Sequence, residues 1–224
     1  MNVASQSDLQ NQPPPLFISV AQNAPRASLL SLLTPHECAE YDLVVSDKEY
    51  HWLLGRAAAK HAVRNLLKQI YDIHLDFLDI ELTSRKNAAP KVRFLHPAPN
   101  VNISISHSRG LGAAQASVYG TRVGIDVERI RSFPQNVADA FLTKKEKELS
   151  SRSTLGRDTE ATLRWSVKEA YGKALGLGLR LNPRRVEVVL GNGTCALNVD
   201  GAPAYAKAYW TIKNDVYILV SIQL

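Results

Sequence analysis

Two short segments hold most of the side chains able to do chemistry. Residues 123–130 read VGIDVERI, in which apolar Val123, Ile125 and Val127 alternate with Gly124, Asp126 and Glu128. Such alternation predicts a half-buried strand with Asp126 and Glu128 on one face. Two like charges held that close repel each other unless something positive sits between them. The second segment, residues 163–179, reads LRWSVKEAYGKALGLGL. On a helix, Leu163, Val167, Ala170 and Ala174 form an apolar stripe. Trp165, Glu169 and Lys173 recur at spacing four along another face, with Lys168 beside them. The plain alternative is a surface Glu–Lys pair worth about 0.3 kcal/mol, but a Trp on the same face argues against a purely solvated surface. Gly172, Gly176 and Gly178 suit close approach or helix termination. Three carboxylates with no Cys or clustered His nearby describe a hard-cation site, most simply Mg²⁺. Lysines beside such a site suit a phosphate-bearing ligand.

The elements that must position these residues follow from pattern. Residues 1–15 are polar and end in three prolines, which predicts a flexible tail. Leu16–Val20 is the first strand candidate. The run TPHE (34–37) predicts a helix start with Thr34 as N-cap and Glu37 completing a capping box, and SDKE (46–49) predicts another before a long helix. Strand candidates follow at Leu78–Leu82, Val92–Leu95, Val101–Ile105 and Ala113–Tyr119. The order then restarts. VGIDVE is a strand, LTKKE (142–146) opens a helix with Thr143 and Glu146 as capping box, and residues 160–176 form a longer helix. Strand candidates at Val186–Leu190, Cys195–Val199, Ala206–Ile212 and Val216–Ile222 close the chain, with Gly191-Asn192-Gly193 and Asn214-Asp215 as hairpin turns. A shift of 109 positions lays Leu33, Thr34 and Glu37 on Leu142, Thr143 and Glu146. The expectation is an α+β, pseudo-twofold monomer of two similar halves, 16–121 and 122–224. Each half is a small antiparallel sheet packed against a long helix, with the ligand site in the cleft between them.

The chain has 224 residues and a net charge of +6, enough length for one large domain or two small ones. The basic balance suits an anionic partner, although simple solubility is an equal reading. Cys38 and Cys195, far apart in sequence, exclude a disulfide framework and a thiolate metal site. The N-terminal residues have no secretory pattern and no apolar run is long enough to span a bilayer, so a cytoplasmic protein is expected.

The two segments together resemble the signature of 4′-phosphopantetheinyl transferases. That signature is G-(I/V)-D-x-E, about forty residues, then (W/F)-(S/T/C)-x-K-E-(S/A)-x-x-K. GIDVE (124–128) and WSVKEAYGK (165–173) satisfy each fixed position, with Asp126 and Glu169 43 positions apart. SISHS (104–108) is similar to the family's N-x-S-H-S segment, and Leu54-Gly55-Arg56 to its helix motif near the coenzyme A phosphates. The length resembles the surfactin-synthetase-activating type, whose members are monomers of two similar halves.

The resemblance implies transfer of the 4′-phosphopantetheine arm of coenzyme A to a serine of an acidic apo acyl or peptidyl carrier protein, releasing adenosine 3′,5′-bisphosphate. It implies Asp126, Glu128 and Glu169 as ligands of Mg²⁺, with Mn²⁺ possible. Lys168 and Lys173 are implied beside the phosphates and the pantetheine arm, Ser106 and His107 at the coenzyme A phosphates, and Arg56 near the nucleotide. Glu169 is implied as the base toward the carrier serine, directly or through a water, with Lys173 assisting catalysis. Each has a bland alternative: His107 as an ordinary strand-end residue, Arg56 and Lys60 as solvated charges, Glu146 as a capping residue only. Two departures stand out. Ala88-Ala89-Pro90 lacks the family's basic residue before S-H-S, leaving Arg85, Lys86 or Lys91 as substitutes, and Ser104 replaces the usual Asn. One rival is a homologue that binds coenzyme A or a phosphorylated metabolite without transfer. Nucleic-acid binding is not expected, because the strands lack an aromatic-plus-basic face.

Overall fold

The computed structural model describes residues 17–83, 89–150 and 152–224. The expected N-terminal tail, and Arg85, Lys86 and Ala88, lie outside these residues. In the first half, β1 (Phe17–Gln22) is followed by α1 (Arg26–Leu30), α2 (Pro35–Tyr41) and the long α3 (Glu49–Tyr71). Strands β2 (Ile80–Thr83), β3 (Lys91–Phe94), β4 (Val101–Ser108) and β5 (Leu111–Val118) complete it. The second half repeats that order: β6 (Val123–Arg129), α4 (Gln135–Phe141), α5 (Lys144–Ser150) and α6 (Arg157–Ala174). It ends with β7 (Val186–Leu190), β8 (Thr194–Val199), β9 (Ala202–Pro203), β10 (Lys207–Lys213) and β11 (Tyr217–Gln223). The strands run β1-β5-β4 in one sheet, β6-β11-β10-β8-β7 in another with β9 on β8, and β2-β3 as a separate pair. All the pairings are antiparallel.

Each sheet buries its outer face under one long helix. Ala58, Ala62, Val63 and Leu66 of α3 pack on Ile103, Ala114 and Ala116. Leu163, Val167, Ala170 and Ala174 of α6 pack on Ile218, Val220 and Ile222, which confirms the apolar stripe of that helix. Full burial of one such Val or Leu is worth about 1.5–3 kcal/mol. The inner faces of the two sheets meet through Leu111, Ala113, Ile125, Val127 and Leu219. The result is helix, sheet, sheet, helix, with β4 of the first half lying against β6 of the second.

Two of the three expected capping boxes form. Thr34 Oγ1 accepts from Glu37 N and Glu37 Oε2 from Thr34 N; Thr143 and Glu146 do the same. SDKE does not. The long helix begins at Glu49 with Lys48 at the N-cap and no side-chain cap, so Ser46 falls in the turn before it. The sequence reading also missed α1 and α4, two short helices that follow Pro25 and Pro134 without a side-chain cap. Asn214 and Asp215 both adopt positive φ, 52° and 54°, as a two-residue hairpin turn of type I′ requires.

Candidate active site

Strand β4 carries serine at every second position, and the three hydroxyls stitch it to β6. Ser104 Oγ accepts from Ile125 N at 3.0 Å, Ser106 Oγ donates to Asp126 Oδ1 at 2.8 Å, and Ser108 Oγ accepts from Arg129 N at 3.2 Å. Helix α6 approaches the other side of β6 unusually closely at Gly124. A Cβ there would lie 1.9 Å from the Ala170 carbonyl oxygen, so only glycine fits. That approach brings one face of α6 onto Asp126. Ser166 Oγ donates to Asp126 Oδ2 at 2.6 Å, and Lys173 Nζ donates to Asp126 Oδ1 at 2.7 Å.

Asp126 is therefore buried yet fully partnered. Lys173 also donates to Ser106 Oγ at 2.9 Å and to the Ile125 carbonyl at 3.1 Å. Glu128 takes a hydrogen bond from Trp165, whose ring packs edge-on against Phe141 at 5.2 Å. Its pKa is raised, first by burial and then by Asp126. Glu169 lies one helical turn before Lys173, and its carboxyl is pushed up to about 7. Burial is the largest cause, then the Asp126 charge, with Lys173 opposing.

The chemistry of this donor set fits a hard divalent cation: three carboxylates share one ammonium, and burial, then mutual repulsion, raises the pKa of two of them. The side chains do not converge on one as they stand. Among the described residues, no group of three or more His, Cys, Asp or Glu is spaced to hold a metal. Asp126 is turned instead onto Lys173 and the two serines.

A cleft of about 530 Å³ opens beside Lys173, lined by Pro90, Ile103, Ile105, Gly176, Leu177 and Arg180 among others. A smaller hollow of about 200 Å³, bounded by Trp52, Arg56 and His107, shares Pro90 and Ile105 with it. His107 reaches solvent and stacks on His51, with ring centres 6.0 Å apart and planes 15° from parallel. Crowding around its ring, then His51 and Lys173, lower its pKa. Sequence reasoning did not single out His51. Its signal was the position four residues before Gly55, on the helix face whose glycine meets the His107 ring.

Three expected site residues are placed differently. Lys168 is buried on another face of α6 and donates to Glu146 Oε2 at 2.6 Å and the Phe141 carbonyl at 2.7 Å, so it holds α5 and does not face the cleft. Arg56 edges the smaller hollow, but its guanidinium pairs with Glu40 at 2.5 Å, bonds the Leu82 carbonyl and lies over the Trp52 ring. It is a buried cation, and Lys60 is another, neither of them solvated. Ser106 is buried between Asp126 and Lys173, so its hydroxyl orders the acid and has no face on the cleft. Glu146 completes its capping box and also receives Lys168 and the Val188 amide. Ala89 and Pro90 line the larger cleft, where the expected basic residue is missing.

Comparisons with known proteins bear on the family of this chain. Residues 122–218 match the family model of the 4′-phosphopantetheinyl transferase superfamily. A holo-[acyl-carrier-protein] synthase of Geobacillus kaustophilus is 34% identical over 87 residues, covering 39% of this chain and 67% of that one. A mouse L-aminoadipate-semialdehyde dehydrogenase-phosphopantetheinyl transferase is 31% identical over 169 residues, 70% of this chain, which spans about half (52%) of the mouse protein. The crystal structure of Thermotoga maritima holo-[acyl-carrier-protein] synthase aligns at a TM-score of 0.39 and 28% identity, covering 46% of this chain and 62% of that one. With both signature blocks meeting around Asp126, and relatives of this identity and extent, the chain belongs to the 4′-phosphopantetheinyl transferase superfamily.

Proposed function

We propose that this chain transfers the 4′-phosphopantetheine arm of coenzyme A to a serine hydroxyl of an acyl or peptidyl carrier protein. The observation that carries the reading is the 2.7 Å contact between Asp126 and Lys173. It joins residues 47 positions apart, one from each signature block, at the edge of a cleft that this reading sets between the proposed halves 16–121 and 122–224.

In this reading Asp126, Glu128 and Glu169 would hold Mg²⁺, or Mn²⁺ in its place. The ion supplies positive charge against the pyrophosphate of coenzyme A. The chain's own groups do the rest. Lys173 lines the cleft and neutralises phosphate charge, and the His107–His51 pair and Arg180 lie at the margins of the joined hollows. The carrier hydroxyl attacks the β-phosphorus in line. A new P–O bond forms to the serine as the bond to adenosine 3′,5′-bisphosphate breaks. Such a transfer needs alignment and charge neutralisation more than covalent help. Glu169 takes the hydroxyl proton, directly or through a water. The net charge of +6 suits coenzyme A and an acidic carrier alike. The protein acts as a cytoplasmic monomer in this account. No helix among the described residues is long and apolar enough to cross a membrane.

The test is to incubate the protein with coenzyme A, Mg²⁺ and a panel of apo carriers and to read intact masses. A phosphopantetheine-sized gain on a carrier serine is expected. Asp126→Ala and Glu169→Ala should lower the rate by about 10³-fold or more while the circular dichroism spectrum is kept. Binding of coenzyme A with no gain on any carrier would instead support a binding homologue without transfer.

A further inference from the structure

Lys173 sits where a cation bound to Asp126 would have to sit. Asp126 is 3% exposed, and a buried carboxylate is costly without a counter-charge. Ser166 holds its Oδ2 and Ser106 and Lys173 share its Oδ1, so the ammonium is the one charged partner that can exchange. There Lys173 spends all three ammonium donors, on Asp126 Oδ1, Ser106 Oγ and the Ile125 carbonyl. In that position it has no donor left for a phosphate. Its side chain is 25% exposed against 4% for Asp126, and it borders the larger cleft, so its route away from the acid leads into open space.

We infer that Lys173 is the resident counter-cation of Asp126 and gives up that seat when a divalent cation binds, its ammonium swinging out toward phosphate in the cleft. Ser166 is then a positioning residue that keeps Oδ2 fixed while the charged partner of Oδ1 changes. The inference rests on the metal-dependent transfer proposed above and adds an order of events. The cation binds first or together with the ligand, and only then does Lys173 become available to the pyrophosphate. With all three carboxylates ionised, one ammonium leaves two negative charges over and a divalent ion leaves one, so the exchange improves the local balance even as the lysine departs.

The wild-type protein tests this without coenzyme A or carrier. Amine acetylation by limiting acetic anhydride is followed at individual lysines by mass spectrometry across a Mg²⁺ titration. Mn²⁺ binding is measured in parallel by electron paramagnetic resonance. Release from charge-assisted hydrogen bonds should raise Lys173 acetylation about 10-fold, saturating with the metal. Buried Lys60 and Lys168 should stay unreactive and exposed Lys207 unchanged. Asp126→Asn should leave Lys173 reactive at every metal concentration. Saturable Mn²⁺ binding with flat Lys173 acetylation overturns the exchange and leaves the transfer function standing. No Mn²⁺ binding at all overturns the exchange together with the metal reading.

Discussion

The two halves share one buried polar arrangement and differ in everything that could do chemistry. In the first half Glu37 accepts from Lys60 at 2.6 Å and from the Leu82 amide at 3.1 Å, while Arg56 donates to the Leu82 carbonyl. In the second half Glu146 accepts from Lys168 at 2.6 Å and from the Val188 amide at 2.9 Å, while Arg164 donates to the Val188 carbonyl. The lysines even reach equivalent carbonyls, Leu32 and Phe141. Each acid caps a short helix, ties it to the long helix and pins the first strand after that helix. Burial lowers the pKa of Lys60 and of Lys168, and their glutamates hold them charged. One turn further along, the halves part. Positions 108 before Glu169 and Lys173 are His61 and Asn65, both exposed. Strand β1 carries no acid where β6 carries Asp126 and Glu128. The shared node is scaffold, and the site was built on one copy only, with the first half lending the serines of β4.

Removing the central acid tests the equivalence most severely. Glu37→Ala and Glu146→Ala each strand a buried Lys, while Arg56 keeps Glu40 and Arg164 keeps Glu160, and each should cost about 3–5 kcal/mol in urea unfolding. Similar losses are expected. A loss in one half with the other near zero would break the comparison.

Gly124 comes next: each half brings its long helix onto the backbone of a strand glycine, α3 at Gly112 and α6 at Gly124, but the partners of Asp126 ride on the second contact. Gly124→Ala forces α6 off β6 and should cost about 1–3 kcal/mol. Transfer should fall about 10²-fold as Ser166, Glu169 and Lys173 shift from Asp126. A stability loss with the transfer rate unchanged would show that the close approach does not position the acid.

The shared scaffold was more legible than the chemistry built on it. TPHE and LTKKE announced both capping boxes and the 109-residue repeat, because a cap is a local contact between near neighbours in sequence. SDKE has the same letters, yet the chain turns before Glu49, and nothing local to Ser46 records that. Asp126, Glu128 and Glu169 were readable as a charge problem. Lys168 was not readable as scaffold from its own helix, since its partners Glu146 and Phe141 lie on other elements. One signal was present: Arg56 and Lys60 recur as Arg164 and Lys168 at the same spacing and a 108-residue offset. A pair of cations repeated in step with the caps marks buried structure more than solvated charge. Ser166, His51 and the closeness at Gly124 are tertiary facts, visible only once β6, α6 and β4 are packed.

A pH series sharpens the contrast further. Glu169 titrates at about 7 in the fold against 4.5 for a free carboxyl, so the folded state holds its proton more tightly. Stability of the metal-free protein should therefore fall as pH rises through that window, then level off. The loss assigned to Glu169 is about 1–3 kcal/mol, allowing for its partial exposure. Glu169→Gln should remove that share, leaving the smaller slope from Glu128. Identical pH profiles for the variant and the wild type, both measured in chelator, would count against the crowding of the three acids.

The smallest effect is expected where the first half is given the second half's residues. His61→Glu with Asn65→Lys rebuilds the Glu169–Lys173 spacing on α3. Both positions are exposed, and the i,i+4 pair adds no more than about 0.5 kcal/mol, offset by loss of the edge-on His61–Phe77 ring contact, which is worth about 0.5–1 kcal/mol. Transfer and metal stoichiometry should also be unchanged, because a site needs more than one helical face. In the second half the pair works against a buried Asp126, fixed by Ser166 from the same helix and by Ser106 from the opposite sheet. Strand β1 offers no such acid. A second bound Mn²⁺ in the doubly substituted protein would show that the scaffold itself confers the site, and the division between shared frame and one-sided chemistry would fall.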